Sequence, residues 1–226
     1  METAVYKPDA LAPRIKEGGV TWIHKTARVK DAIHAESLGA DAVIVVGLEG
    51  VGFKNPVQLP TMVTTTWGTK QLKVPFIAAG GIGDARGFLG ALGMGADGIM
   101  MGTAFMATKE CPTNEASKQA MVLSQPDNPQ LRYRVLASTD PEKYAEVMSM
   151  RDKLPLEEWL PLLERSQPRH SDWAGAADIS GEPDASQVGS LAVAAIDRVP
   201  TVKEFIDSII QGAEEILDSW QFLKTR

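Results

Sequence analysis

The chain predicts an α/β fold built from repeated strand–helix units on a parallel sheet, and three observations predict it. Short, continuously apolar runs stop at glycine: 42–46 at Gly47, 76–79 at Gly80-Gly81, and 99–101 at Gly102. Strands that are apolar on both faces belong to parallel sheets covered by helices. Stretches of helical spacing lie between them, so strand and helix alternate. One design also recurs: Leu38-Gly-Ala-Asp-Ala-Val-Ile-Val-Val-Gly47 echoes Met94-Gly-Ala-Asp-Gly-Ile-Met-Met-Gly102. Each copy reads as a helix ending in glycine, an Ala-Asp turn, a strand and a terminal glycine.

Repetition of one such unit suits a TIM-type (β/α)8 barrel, whose sites lie at the C-terminal strand ends. The same turns would also serve a doubly wound sheet. However, no Gly-x-Gly-x-x-Gly with a downstream acid supports a dinucleotide fold, so the barrel is preferred.

The elements follow in order. Residues 1–18 form a polar lead-in, and 20–25 read as a short strand. Helix 29–38 carries Val29, Ala32, Ile33 and Glu36 on neighbouring turns, with Gly39 as its stop. Strand 42–46 leads into a glycine-rich loop, 47–56, and 59–72 could hold a helix weakened by Thr64, Thr65 and Thr66. Strand 76–79, a helix near 85–92 capped by Asp84, and strand 99–101 complete about four units, where a closed barrel needs eight.

Beyond Phe105 the pattern turns helical, at 114–122, 141–154 and 156–164, while 167–187 reads as a loop or linker. The final helix is the clearest. Val202, Phe205, Ile206, Ile209, Ala213, Ile216, Leu217 and Trp220 form one apolar stripe, and Thr201 with Glu204 makes a capping box. The expected division is therefore a lead-in at 1–18, a half barrel at 19–120 and a mainly helical extension at 121–226.

Composition narrows the function. The 226 residues are 44% hydrophobic and 23% charged, with a net charge of −6, which argues against nucleic acid because phosphate neutralisation needs a basic face. Cys111 is the single cysteine, so no internal disulfide forms, and no His/Cys pair has metal-ligand spacing. No run approaches a membrane span, and the expectation is a cytoplasmic protein.

Glycines just past buried strands let backbone N–H groups reach a ligand. The tips Gly80-Gly81 and Gly102-Thr103 thus suggest a phosphate cradle, with the Thr103 hydroxyl as a further donor. The same glycines could simply make tight turns, but two pairs at successive strand ends favour an anion. His24 and Lys25 end the first strand, and alternation points them to opposite faces. His24 is the candidate catalytic side chain. His34 is expected to be solvated, and His170 has no assigned role.

Several of these segments resemble the nitronate monooxygenase (2-nitropropane dioxygenase) family. They are Ile23-His-Lys25 with Val29-Lys-Asp-Ala32, Gly39 to Gly47 with Glu49-Gly50, Ile77-Ala-Ala-Gly-Gly-Ile82 with Asp84-Ala-Arg-Gly87, and Gly95-Ala-Asp-Gly98 with Met101-Gly-Thr103. Phe105, Ala107-Thr-Lys-Glu110 and the weaker Pro200-Thr-Val-Lys-Glu204 continue the match. Flavin-dependent enoyl reductases share much of the pattern. The resemblance implies an FMN-binding barrel that oxidises alkyl nitronates with O2. Gly80, Gly81, Gly102 and Thr103 would hold the flavin phosphate, and Lys25 would add a contact.

There are two departures. Only the second half of the family's barrel is matched, which implies either a homo-oligomer or a complementary chain supplying the rest. A non-catalytic subunit of a split barrel is an alternative. In addition, the family's histidine position in the loop is taken by Phe53, which has no proton to exchange. Glu49, Gly52 and Phe53 are then expected to shape the substrate pocket.

Overall fold

The computed structural model describes residues 1–4, 8–52, 54–136, 140–166 and 189–220. Five parallel strands lie side by side in the order of the sequence: β1 (Glu2–Ala4), β2 (Ile23–Thr26), β3 (Ala42–Val46), β4 (Phe76–Ala79) and β5 (Gly98–Met100). Between them run α1 (Ala12–Glu17), α2 (Val29–Ser37), α3 (Thr61–Gly68) and α4 (Ala85–Gly93). Right-handed crossovers that always step the same way place every helix on one face of the sheet. A doubly wound sheet reverses at a switch point; this one has none, so it is the wall of a barrel.

The register separates the two faces. His24 pairs with Val43 and Val43 with Phe76, while Lys25 pairs with Ile44 and Ile44 with Ile77. The first row packs under the helices: Trp22, Val43, Val45, Phe76 and Ala78 share a core with Ile15 of α1, Ala32 and Ala35 of α2, and Ala91 of α4. Small residues on the helices let them approach the sheet closely. Gly68 is an example, since a Cβ there would meet the Phe76 ring at 2.4 Å. The second row, with Lys25, faces the barrel interior.

β1 and α1 fall in the stretch that reads as a polar lead-in. Three residues with one half-buried threonine leave no apolar run to detect. Tertiary partners recruit the strand: the Met1 carbonyl accepts from Ile23 N–H, and the Thr3 hydroxyl accepts from Trp22 Nε1 at 2.7 Å.

α5 (Thr103–Met106), α6 (Glu115–Leu123), α7 (Pro129–Leu136), a 3-10 helix (Leu191–Ala195) and α10 (Val202–Ser219) build a second layer. Ala104, Met121, Leu131, Val135, Val193, Phe205 and Ile209 are buried there together. α10 begins with the capping box of Thr201 and Glu204 and crosses α4 so closely that a Cβ on Gly212 would lie 2.8 Å from Ala85 Cβ. α7 and the 3-10 helix give little sequence pattern, because each buries only two side chains. α8 (Pro141–Ser149) and α9 (Leu156–Ser166) form a hairpin with its own small core of Val147, Trp159 and Leu163. The expected loop at 167–187, His170 within it, and Phe53 lie outside the described residues.

Candidate functional site

Two features stand at the C-terminal ends of the strands, where barrel proteins place their chemistry. The first is the pair of glycine tips. β4 and β5 are hydrogen-bonded neighbours, so Gly80-Gly81 and Gly102-Thr103 lie side by side. Gly80 (φ +100°) and Gly81 (φ +74°) are both left-handed, a conformation that side chains resist. A Cβ on Gly80 would meet the backbone of Gly47 and Gly50 at 3.0–3.1 Å, whereas one on Gly102 would meet nothing within 4 Å. The first glycine is demanded by packing; the second borders open space.

Thr103 is 5% exposed, and its hydroxyl is engaged by the chain itself. It donates to Ser190 Oγ at 2.8 Å and accepts from Ser190 N–H at 3.0 Å. Ser190 also caps the 3-10 helix by accepting from Ala192 N–H, and the Glu49 carbonyl accepts from Leu191 N–H. The segment after Gly189 is thus pinned over the tips of β3 and β5. Sequence reasoning missed Ser190, because nothing local distinguishes it from a surface serine.

The second feature is a cavity of about 350 Å³ at the mouths of β1 to β3. Ala4, Lys25, Thr26 and Val46 form its floor, and Gly50, Val51, Gly52, Lys54, Asn55 and Gln58 form the loop side. Asp31 and Tyr144 complete it, the latter brought from α8. Gly50 joins the two features, since Gly80 would touch its nitrogen with any added Cβ.

Of the expected site residues, Lys25 and Gly52 line the cavity. Lys25 Nζ is paired with Glu2 at 2.9 Å. His24 is 2% exposed on the helix side of the sheet, with Nδ1 2.8 Å from the Thr3 hydroxyl and its ring edge-on to Trp22. Burial lowers its pKa and favours neutral imidazole there. Glu49 turns away from the cavity to cap α3: its Oε2 accepts from Thr61 N–H and from the Thr61 hydroxyl, each at 2.8 Å. Gln58 donates to the Val46 carbonyl and fixes the loop onto β3. Asp31 is held by a double bond set from Arg28, at 2.6 and 2.7 Å.

Lys54 and Tyr144 are cavity groups that sequence reasoning passed over. Lys54 is 3% exposed and donates to the Leu48 carbonyl at 2.6 Å and to the Gly50 carbonyl. Burial pushes its pKa down to about 8, opposed by Glu49 and assisted by Arg134. The Tyr144 hydroxyl accepts from Asn55 Nδ2 at 3.2 Å, and burial raises its pKa. Among the described residues, no acid, histidine or cysteine cluster could hold a metal, and no helix is long and apolar enough to cross a membrane.

The family model described as nitronate monooxygenase matches residues 3–212. A relative from Rhodococcus jostii, (3aS,4S,5R,7aS)-5-hydroxy-7a-methyl-1-oxo-octahydro-1H-indene-4-carboxyl-CoA dehydrogenase, is 27% identical across 93% of this chain and 71% of its own length. A "Probable nitronate monooxygenase" of Staphylococcus aureus is 32% identical over 51% of this chain; the match spans 35% of that protein. Among solved structures, FabK from Thermotoga maritima superposes with a TM-score of 0.71 at 23% identity, covering 98% of this chain and 70% of that one. Nitroalkane oxidase from Streptomyces ansochromogenes gives 0.62 at 16% identity, covering 96% and 63%. These two structures share the fold.

Proposed function

Because the chain belongs to the nitronate monooxygenase family, we propose that it works as an FMN-dependent oxidoreductase that oxidises alkyl nitronates, or a related carbanion-type substrate, with O2. The observation that carries this reading is the tip pair: consecutive left-handed glycines on β4 beside an open glycine on β5. Their N–H groups suit a phosphoryl group, because a cradle without side chains lets charge-assisted bonds form at short range. Gly80, Gly81 and Gly102 would hold the FMN phosphate. Thr103 would act by orienting Ser190, since its own proton is given to Ser190 Oγ.

When bound, FMN would supply a two-electron acceptor that oxygen can reoxidise. The chain's residues do the rest. Lys25, kept in place by Glu2, puts a positive charge on the cavity floor where a nitronate or carboxylate would be drawn. Tyr144 and Asn55 present hydrogen-bonded polar groups side by side, and Val46 and Val51 exclude water from the substrate's alkyl part. A second copy or a complementary chain at β1 and β5, the outer strands of the described sheet, is part of the same proposal.

The R. jostii relative, which spans 93% of this chain and carries a CoA thioester in its name, favours a second reading in which the substrate is an acyl thioester. One experiment separates the two. The purified chain is loaded with FMN, and oxygen uptake on propyl nitronate is compared with flavin bleaching by an acyl-CoA under nitrogen. Uptake on the nitronate supports the first reading and bleaching by the thioester the second. A preparation that binds no FMN defeats both.

A further inference from the structure

Lys54 is a buried amine on the wall of the substrate cavity, and nothing above gives it a task. Its Nζ is fixed by the Leu48 and Gly50 carbonyls at the point where the loop turns over β3. An amine has two N–H groups to give in either protonation state, so both bonds outlast the loss of a proton. The His24 imidazole is on the other face of the sheet and cannot serve the cavity.

The charged and titratable surroundings are mixed. Glu49 of the same loop favours the ammonium, and Arg134 of α7 disfavours it. Across the cavity stand Lys25 with its partner Glu2, Asp31 held by Arg28, and Tyr144. Burial outweighs the acids, so the amine is divided between its two forms near neutral pH. A group so poised can take up a proton during a reaction.

We propose that Lys54 is the general base of this cavity and removes the α proton of a carbon acid, a nitroalkane or an acyl thioester, bound beside Lys25 and Tyr144. The inference rests on the cavity being the substrate site of the oxidoreductase proposed above. In the step, an N–H bond forms at Nζ as the α C–H bond breaks. The electron pair stays on carbon and spreads into the nitro group or thioester carbonyl. The Tyr144 hydroxyl, which accepts from Asn55, has its own proton to offer the oxygen where charge gathers. No oxidant enters this step.

The test is α-hydrogen exchange in D2O under nitrogen, followed by proton NMR on nitroethane and on butyryl-CoA, with the uncatalysed rate subtracted. The wild-type chain should exchange one of the two, which identifies the class, and the rate should rise with a midpoint near that of Lys54. Lys54→Met should lower the rate about 100-fold or more and remove the inflection. Lys54→Cys should be equally slow and should recover after aminoethylation with 2-bromoethylamine; wild type treated alike controls for Cys111. Exchange undiminished in Lys54→Met, no recovery in the aminoethylated cysteine variant, or no exchange of either compound by the wild type overturns the proposal. FMN fluorescence titrations on the same samples separate the failures. Flavin bound without exchange sinks the base and spares the flavin reading; exchange without flavin binding does the reverse.

Discussion

Gly102→Ala isolates the anion site from the fold. Gly102 has φ −103° and ψ −68°, a conformation alanine adopts without strain, and the new methyl would meet nothing within 4 Å. Unfolding free energy should therefore change by less than about 0.5 kcal/mol. The methyl enters the space assigned to the phosphate, however. Each backbone N–H bond to a charged group contributes about 1.5–3 kcal/mol, so displacement of one of them weakens FMN binding by about 10- to 150-fold. Gly80→Ala is the contrasting change. At φ +100° a side chain costs about 1–2 kcal/mol, and contact with Gly47 and Gly50 backbone at 3.0–3.1 Å adds to that. Its main effect should be on stability. Urea unfolding followed by tryptophan fluorescence gives the first quantity, and quenching of FMN fluorescence gives the second. Gly102→Ala protein that binds FMN as tightly as wild type would refute the assignment of the phosphate to these tips.

The pKa of Lys54, lowered to about 8 from 10.5, links its burial to pH. Between those values the unfolded chain binds more protons than the folded one, so stability should rise with pH by up to about 3 kcal/mol relative to Lys54→Met; parallel urea curves at pH 7.5, 9 and 10.5 would deny it. Trp159 is 1% exposed and donates to the Val147 carbonyl, so Trp159→Ala should cost about 3–5 kcal/mol, read by thermal unfolding, and should release Tyr144 from the cavity. Thr201→Ala removes the Thr201 acceptor of Glu204 N–H and with it half of the capping box on α10; a loss of about 1 kcal/mol is expected, and no change in the urea midpoint would contradict the cap's role.

β3 and β4 were legible because most of their residues are buried. β3 and β4 read as unbroken apolar runs, and the glycines that end them mark where the chain must turn without a Cβ. The final helix was equally plain, since its stripe and its capping box are local. The cavity was only partly legible. Alternation along β2 set His24 and Lys25 on opposite faces without deciding which faced the interior, and Tyr144 enters from a helix 89 residues beyond its partner Asn55. No local pattern encodes that encounter. Lys54 reads as an ordinary surface lysine within a glycine-rich loop, and its burial depends on the loop folding back so that the Leu48 and Gly50 carbonyls accept from it. Ser190 was invisible because its partner Thr103 is 87 residues away. β1 went unread since three residues paired to one neighbour leave no period to count.

Grip on a phosphoryl group at the ends of β4 and β5 is the centre of this account, and a competition between FMN and riboflavin tests it most directly. The two ligands differ only in that group. Isothermal titration of the wild-type chain should show FMN binding about 100-fold or more tightly than riboflavin, a gap that shrinks in Gly102→Ala. Equal affinity for both, or a gap untouched by the substitution, would mean that the glycine tips hold no phosphate.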